Sequence, residues 1–309
     1  MESRMSEVMV RRGVSMVPFS RGIMARSLLK LGIDSTRAYD IASQLAEELR
    51  AEGMSLVTNQ HLARLLSERL AALADADVAA RYEKMRLFKR SPRPLVLLLG
   101  GSTGSGKSSL ATEVAHRLDI TRILSTDSVR HVMRAMISDK LLPSIHRSSF
   151  EVWRDVQMPP VPGLDPRLVA FLDQVRHVSV ALEAVLERSM QENLSMILEG
   201  VHLVPGLFDR FARDPRLQFV HLVVHVQDED EHRARFMSRA HGTAGRPGRR
   251  YLDNFDTIRA IQSYLVQQAG VTGTSCVENS NFDAAMSDTL GHILAGFADS
   301  SPIVLRTTS

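Results

Sequence analysis

An apolar run that leads into a glycine-rich turn is the feature that most restricts how this chain can fold. The stretch is VLLLGGSTGSGKSS, residues 96–109, and residues 101–108 fit the pattern G-x-x-x-x-G-K-[ST] in full. Glycines let the backbone wrap around a phosphate without side-chain clash, so that its N–H groups point inward as donors. The helix predicted to begin near Lys107 adds the positive end of its dipole. The pattern favours a phosphate-binding loop for ATP or GTP over an ordinary Gly/Ser turn.

The residues of this loop have separate predicted roles. Lys107 should reach the β- and γ-phosphates of the nucleotide, and the hydroxyl of Ser108 should ligate Mg²⁺. From these residues we predict Mg²⁺ and a nucleoside triphosphate, ATP or GTP, as the cofactors. The predicted cofactor-binding residues of the loop are Gly101, Ser102, Thr103, Gly104, Ser105, Gly106, Lys107, Ser108 and Ser109.

From Pro94 onward, short apolar segments alternate with helical patterns. This alternation is typical of a parallel β-sheet with helices on both faces, so we predict an α/β fold. Ligands of such sheets bind beyond the carboxyl ends of the strands. The predicted strands are Leu95–Leu99, Arg122–Ser125, Ser195–Leu198, Gln218–Val226 and Gly273–Val277.

Acidic residues follow two of these strands. Asp127 comes after the second strand, where a carboxylate can orient or deprotonate an attacking hydroxyl, or hold Mg²⁺ through water. A simple helix N-cap is the alternative for Asp127, because aspartate favours that position. Glu199 directly follows the third strand and is predicted to support Mg²⁺. His202 should point toward the same edge of the sheet.

Polar and cationic residues after Asp127 are predicted to bind an anionic acceptor. Arg130 and Arg134 lie four residues apart and so share a helix face, where two guanidinium groups can clamp an anion. His146, Arg147 and Ser148 fall where small-molecule kinases of the phosphate-loop class insert their acceptor-binding helices. A surface loop is the equal alternative for these three residues.

An arginine-rich stretch with several glycines, SRAHGTAGRPGRR, follows the fourth predicted strand. We predict a mobile lid at about residues 236–250 that expels water and brings guanidinium groups onto the transferring phosphoryl group. Arg246 and Arg250 are the predicted catalytic residues of the lid, and Arg249 is a predicted substrate contact. Further on, Asn279 lies where this class lines its adenine pocket, although asparagine also forms turns there.

The composition of the chain limits the classes of partner and the compartment that we expect for the protein. The 309 residues carry 38 basic and 35 acidic side chains, a net charge of +3, which disfavours nucleic acid as a general partner. One cysteine excludes an internal disulfide and fits a reducing cytoplasm. No apolar run approaches the ~20 residues that span a bilayer, and the first 13 residues lack the apolar core of a secretory signal. We expect a cytoplasmic protein with no membrane segment, and a homo-oligomer is compatible with the sequence.

The front of the chain has a different pattern, with a predicted hairpin at Gly13 followed by helices up to the helix-breaking Ser91-Pro92-Arg93-Pro94. Residues 1–91 are thus predicted as one domain and residues 92–309 as another. The front domain resembles the mainly helical ATP-cone domain, a nucleotide-binding regulatory module, in VRRG, PFSRGIMARSLLKLGID, AYDIASQLAEEL and AARYEKMR. The resemblance implies a nucleotide effector, and a plain helical docking domain is the alternative. The contacts that it implies are Arg11, Arg12, Phe19 and Lys30.

The second domain resembles the 2-phosphoglycerate kinase family, whose members can carry an ATP-cone ahead of a P-loop kinase domain. The matching motifs are GGSTGSGKSS, STDSVRHVMR, IHRSSFEVW, ILEGVHLVPG and NFDTIRAIQSYLV. The resemblance implies transfer of the γ-phosphate of ATP to 2-phosphoglycerate, a small anionic substrate, to give 2,3-bisphosphoglycerate.

Three other functions remain open from the sequence. One is a P-loop kinase for another small phosphorylated or sugar acceptor, including the zeta-toxin-like class. A non-catalytic ATP sensor is disfavoured by Asp127, Glu199 and the basic lid, because a sensor does not need groups for phosphoryl transfer. A nucleic-acid-binding regulator is disfavoured because the chain lacks a cysteine-rich zinc module.

Overall fold

The computed structural model describes residues 8–73, 76–156, 159, 161–242 and 248–297. These residues form two compact units, one of the residues up to Ser91 together with Phe297, and one of Pro92–Gly296. In the first unit, Phe297 packs edge-on against Phe88 with ring centroids 5.2 Å apart. Along the chain, the first unit passes into the second at the Ser91–Pro92 peptide, and the second passes back into the first at Gly296–Phe297.

A small three-stranded sheet begins the first unit. Gly13 turns the predicted hairpin with a φ of +61°, a conformation that glycine adopts without a steric penalty. The third strand was not predicted, because three residues are too short to show a periodic pattern. The strands are β1 (Met9–Arg12), β2 (Ser15–Pro18) and β3 (Leu56–Thr58), with β1 antiparallel to β2 and parallel to β3.

Four helices complete the first unit, and their leucines form its core. Leu28, Leu45, Leu49 and Leu66 are each at most 1% exposed. The second helix is capped by Asp34, whose carboxylate accepts a hydrogen bond from a backbone N–H at 3.0 Å. The helices are α1 (Arg21–Leu29), α2 (Ser35–Ala51), α3 (Asn59–Leu73) and α4 (Ala76–Arg90).

A five-stranded parallel sheet organises the second unit. Its strand order is β5-β6-β4-β7-β8, so that the strand before the phosphate loop is central. That strand is buried at all six positions, which explains its continuous apolar sequence. The strands are β4 (Leu95–Gly100), β5 (Ile123–Ser125), β6 (Met196–Gly200), β7 (Gln218–His225) and β8 (Ser275–Glu278).

All five strands overlap the predicted ones, and helices connect them. The last strand begins later than predicted, because Gly273 adopts a φ of +72° and ends the preceding helix. The helices are α5 (Lys107–Leu118), α6 (Thr126–Met136), α7 (Val152–Asp155), α8 (Pro166–Gln191), α9 (Asp209–Ala212), α10 (Glu229–Gly242), α11 (Gly248–Leu252), α12 (Phe255–Thr272) and α13 (Phe282–Ala295), with a 3-10 turn at Pro143–His146.

The fold class is therefore the predicted one, a parallel α/β sheet preceded by a small, mainly helical unit. Among the residues that the structure describes, no helix combines the length and the apolar composition needed to cross a bilayer.

Candidate active site

The phosphate loop leaves the carboxyl end of β4 and leads directly into α5. Gly104 has a φ of +86°, and a Cβ there would lie 2.5 Å from the ring of Phe236. A side chain is thus excluded twice, by backbone strain and by space. Because Gly106 is the N-cap of α5 and makes no side-chain cap, the first N–H groups of this helix remain available to a phosphate.

Buried polar side chains hold the loop from behind. The imidazole Nε2 of His232 donates to the Thr103 carbonyl at 2.8 Å, and Gln262 accepts a hydrogen bond from the Ser102 hydroxyl at 3.2 Å. The Asn279 amide donates to the Ser105 carbonyl at 2.8 Å. Asn279, the predicted adenine contact, is 3% exposed and faces the loop backbone in this structure.

Lys107 and the two predicted magnesium ligands, Ser108 and Glu199, line one cavity. The Lys107 ammonium donates to the Ser102 carbonyl at 3.1 Å, across the loop. The Ser108 hydroxyl donates to Glu199 Oε2 at 3.0 Å, although the two residues are 91 positions apart. Mg²⁺ prefers oxygen ligands and keeps several bound waters, so a hydroxyl beside a buried carboxylate fits a magnesium ion.

Asp127 lies beside this pair, because Ser125 and Glu199 are register partners on β5 and β6. Ser125, not Asp127, caps α6, since its hydroxyl accepts from the Asp127 N–H at 3.2 Å. The cap alternative for Asp127 is therefore wrong. Partial desolvation raises the pKa of the Asp127 carboxyl. The positive charges of a protonated His202, of Arg130 and of Lys107 together lower this pKa by more than desolvation raises it. Its net pKa lies below the ordinary value, and the group is ionised at neutral pH.

A single cavity of about 940 Å³ connects the phosphate loop to Asp127. Its walls come from the loop, the ends of β5 and β6, the start of α6, the segment before α7, and α11. The lining residues are Thr103, Gly104, Gly106, Lys107, Ser108, Ser109, Ser125, Asp127, Ser128, Arg130, His131, Val132, Ser148, Ser149, Phe150, Glu199, Gly200, Arg250 and Tyr251.

The two predicted acceptor arginines of α6 have different environments. Arg130 lines the cavity and is 9% exposed. Its Nε donates to Asp127 at 3.1 Å, and its Nη1 donates to the carbonyls of Ile145 and Arg147, both at 2.9 Å. Arg134 is exposed and lies outside the cavity lining. The structure therefore does not bring the predicted clamp together.

The segment from His146 to Ser148 is brought to the cavity only in part. Ser148 lines the cavity, as does the unpredicted Ser149. The His146 ring instead bonds the Ile137 carbonyl at 2.8 Å, and the Arg147 guanidinium pairs with Asp155 at 2.6 Å. Neither His146 nor Arg147 lines the cavity.

Of the predicted lid at about residues 236–250, the structure describes residues 236–242, at the end of α10, and residues 248–250, at the start of α11. Arg250 lines the cavity, where its guanidinium pairs with Glu151, donates to the Ser148 hydroxyl at 2.8 Å and lies over the Phe150 ring. The bonded Glu151 carboxylate raises the pKa of Arg250 above its ordinary value. Arg249 is exposed and outside the lining. Arg246 lies outside the described residues.

The cavity lining also contains hydroxyl and imidazole groups that the sequence did not predict. Helical spacing could have found His131, which lies four residues after Asp127 and therefore on the same face of α6. Ser128 and Ser149 carry no comparable signal, because single serines are common at helix starts and in loops. The cavity residues missed are Ser125, Ser128, His131, Val132, Ser149, Phe150, Gly200 and Tyr251.

The first unit has a cavity of its own, of about 500 Å³. Its walls include β2, the start of α1 and the end of α4. Phe19, one of the four implied nucleotide contacts, lines it, as do Tyr82, Arg86 and Lys89. Burial raises the pKa of the Tyr82 hydroxyl, so this group is a hydrogen-bond donor at neutral pH.

Known proteins similar to this chain identify its family. Residues 7–91 match the ATP cone domain family, and residues 78–138 match the zeta toxin family. The 2-phosphoglycerate kinase of Methanothermobacter thermautotrophicus is 41% identical over 263 residues, 85% of this chain and 85% of that protein. The chain belongs to the 2-phosphoglycerate kinase family. The 2-phosphoglycerate kinase of Pyrococcus furiosus is 36% identical over 290 residues, 94% of each chain.

The two resemblances stated from sequence motifs are thereby confirmed. As a member of this family, the chain is a kinase that uses ATP and acts on a small substrate. Among solved structures, a gluconokinase from Sinorhizobium meliloti is 20% identical with a TM-score of 0.36, covering 68% of this chain and 93% of that one.

Proposed function

We propose that this protein transfers the γ-phosphate of ATP to 2-phosphoglycerate and forms 2,3-bisphosphoglycerate. The observation that carries the proposal is one cavity lined by Lys107, Ser108 and Glu199 at its phosphate end, and by Asp127 and Ser148 at its acceptor end. The family relatives named 2-phosphoglycerate kinase supply the identity of the acceptor.

The transfer step needs an oriented nucleophile and fixed positive charge. The C3 hydroxyl of 2-phosphoglycerate attacks the γ-phosphorus, the bond to the β,γ-bridging oxygen breaks, and ADP leaves. Asp127 is ionised at neutral pH, so its carboxylate can accept the hydrogen bond, and then the proton, of that hydroxyl. Lys107 and Arg250 place their charges on the transferring group, where transition-state charge is spread over the equatorial oxygens.

Ser108 and Glu199 would hold Mg²⁺, Ser108 through its hydroxyl and Glu199 through water. When bound, the ion neutralises phosphate charge.

The acceptor carries a carboxylate and a phosphate, so cations outside the phosphate loop must bind it. Arg130 and Arg250 line the acceptor side of the cavity and are our candidates, and the His131 ring beside them can form a hydrogen bond.

We further propose that residues 1–91 form a regulatory domain, and that the kinase domain predicted from Pro92 onward ends at Gly296, because Phe297 belongs to the first unit. A nucleotide effector would bind in the 500 Å³ cavity of the first unit. Arg86 and Lys89 supply positive charge for its phosphates, and Phe19 supplies a ring for its base.

The test is a coupled assay that measures ADP release from ATP with 2-phosphoglycerate, 3-phosphoglycerate, glycerate and UDP-sugars as acceptors. We expect 2-phosphoglycerate to give the highest kcat/KM, and 2,3-bisphosphoglycerate as the product. Turnover with another acceptor but none with 2-phosphoglycerate would refute the substrate and leave the kinase fold unaffected.

A further inference from the structure

A buried chain of polar side chains runs behind the acceptor end of the cavity. Thr126, Gln174 and His202 are each 0% exposed, although they come from α6, α8 and the segment after β6. Buried polar groups are costly unless they are hydrogen-bonded, and all three are. The His202 ring lies 2.8 Å from the Thr126 hydroxyl through Nδ1 and 3.0 Å from the Gln174 carbonyl oxygen through Nε2.

Hydrogen-bond chemistry fixes the direction of this chain. The Gln174 NH₂ donates to the carbonyls of Ser144 and Arg147, which can only accept. Its Oε1 must therefore accept from His202, whose Nε2 carries the proton and whose Nδ1 accepts from the Thr126 hydroxyl. Burial lowers the pKa of His202 to about 4, so the ring is neutral and keeps this single tautomer at neutral pH.

The chain ties together the two segments that carry the acceptor groups. One end is Thr126, next to Asp127, and it packs so closely on Gly200 that a Cβ there would lie 1.8 Å from the Thr126 hydroxyl. The other end is the Arg147 carbonyl, directly before Ser148. This carbonyl also accepts a hydrogen bond from Arg130 at 2.9 Å. The segment that presents Ser148 is thus held from α8 and from α6.

We propose that Gln174 is a positioning residue for the acceptor. It lies outside the cavity lining, and it acts by holding the backbone before Ser148 in register with Asp127. The inference rests on the proposed function, because it takes Ser148 and Asp127 as groups that meet the acceptor. Gln174 supports the acceptor end of the cavity through its hydrogen bonds, in the same way that Gln262 supports the nucleotide end.

Gln262 offers a matched control. It is 5% exposed, and its amide bonds both the N–H and the carbonyl of Val226 and accepts from Ser102 at the start of the phosphate loop. Gln174→Met and Gln262→Met therefore remove the same chemistry from the two ends of the cavity, with similar loss of buried hydrogen bonds.

We expect the full-length Gln174→Met variant to raise the KM for 2-phosphoglycerate about 5- to 50-fold, the effect of losing the two hydrogen bonds to the Ser144 and Arg147 carbonyls, with the KM for ATP within about twofold. Gln262→Met should give the reverse pattern. An equal rise of both KM values in Gln174→Met, or the same pattern in both variants, would overturn the proposal. Gln174→Asn keeps the amide but shortens its reach, and replaces the methionine variant if that chain does not fold.

Backbone hydrogen exchange separates this inference from the substrate assignment. In Gln174→Met, peptides covering residues 143–151 should exchange faster, and those covering residues 100–109 should not change. Unchanged exchange at residues 143–151 would refute the positioning role whatever the acceptor is. If the wild-type protein does not phosphorylate 2-phosphoglycerate, but residues 143–151 still exchange faster in Gln174→Met, the positioning role is supported and the substrate is refuted.

Discussion

Arg130 is the residue for which the structure gives the sharpest prediction. Its guanidinium donates to Asp127 and to two backbone carbonyls, those of Ile145 and Arg147. Replacing it with alanine leaves the Ile145 carbonyl without this donor, removes one of the two hydrogen bonds to the Arg147 carbonyl, which Gln174 still bonds, and removes the positive charge beside the proposed base. Because the segment borders an open cavity, water replaces part of the lost bonding. The net loss is therefore close to that of one charge-assisted hydrogen bond, about 1.5–3 kcal/mol.

This loss falls on acceptor binding, because the bonded carbonyls precede Ser148 and not the phosphate loop. We expect Arg130→Ala to raise the KM for 2-phosphoglycerate by roughly 10- to 150-fold, with the KM for ATP within about twofold. Steady-state kinetics with each substrate varied in turn measures both values.

The pH dependence of the same variant tests the contact with Asp127. Arg130 lowers the pKa of the Asp127 carboxyl, so its removal raises that pKa. A base must be ionised to act, and activity is lost as the pH falls through its pKa. The acidic limb of the kcat/KM profile should therefore move to higher pH in Arg130→Ala.

Arg134→Ala is the matched control, since it removes the same charge from the same helix at an exposed position outside the cavity. We expect less than about a twofold change in either KM. If Arg134→Ala weakens acceptor use as much as Arg130→Ala does, general electrostatics and not the bonded segment would explain the effect, and the reasoning would be refuted.

Three further predictions concern the nucleotide. Lys107→Ala should remove most phosphoryl transfer with little change in Tm, because it deletes a charge placed on the transferring group, and near wild-type turnover would contradict that placement. Glu199→Gln should raise the Mg²⁺ concentration for half-maximal rate about 10- to 100-fold, measured by metal titration at fixed ATP; an unchanged midpoint would exclude Glu199 from the metal site. Ser27→Trp, which fills the mouth of the front cavity, should abolish any change of rate with ATP or dATP as effector while leaving turnover intact, whereas a retained response would locate the effector elsewhere.

The nucleotide end of the site could be predicted from sequence because local pattern determines it. The glycines, Lys107 and Ser108 follow one strand directly, so their placement needs no knowledge of the rest of the fold. Glu199 could be placed as well, because the carboxyl ends of parallel strands meet at one edge, and the structure brings it 3.0 Å from Ser108.

The acceptor end could be predicted only in part. Helical spacing alone puts Arg130 and Arg134 on one face, but the cavity covers only the first turns of α6 and ends before Arg134. The segment from Ser144 to Ser148 has no periodic pattern, and long-range hydrogen bonds set its course. Arg147 is predicted as an acceptor contact from its position in the sequence, whereas its backbone carbonyl is the group that Arg130 and Gln174 bond.

Two buried glutamines that lie outside the cavity lining form hydrogen bonds behind its two ends, and an uncharged amide carries no sequence pattern that marks this role. Gln262 reaches the phosphate loop across 160 positions, and Gln174 reaches the Arg147 carbonyl across 27. Each captures backbone groups that only tertiary structure brings near. Because the two glutamines support opposite ends of the cavity, substitution of Gln262 should change the KM for ATP, and substitution of Gln174 should change the KM for the acceptor. If one set of buried contacts supported both ends of the cavity, either substitution would change both KM values together.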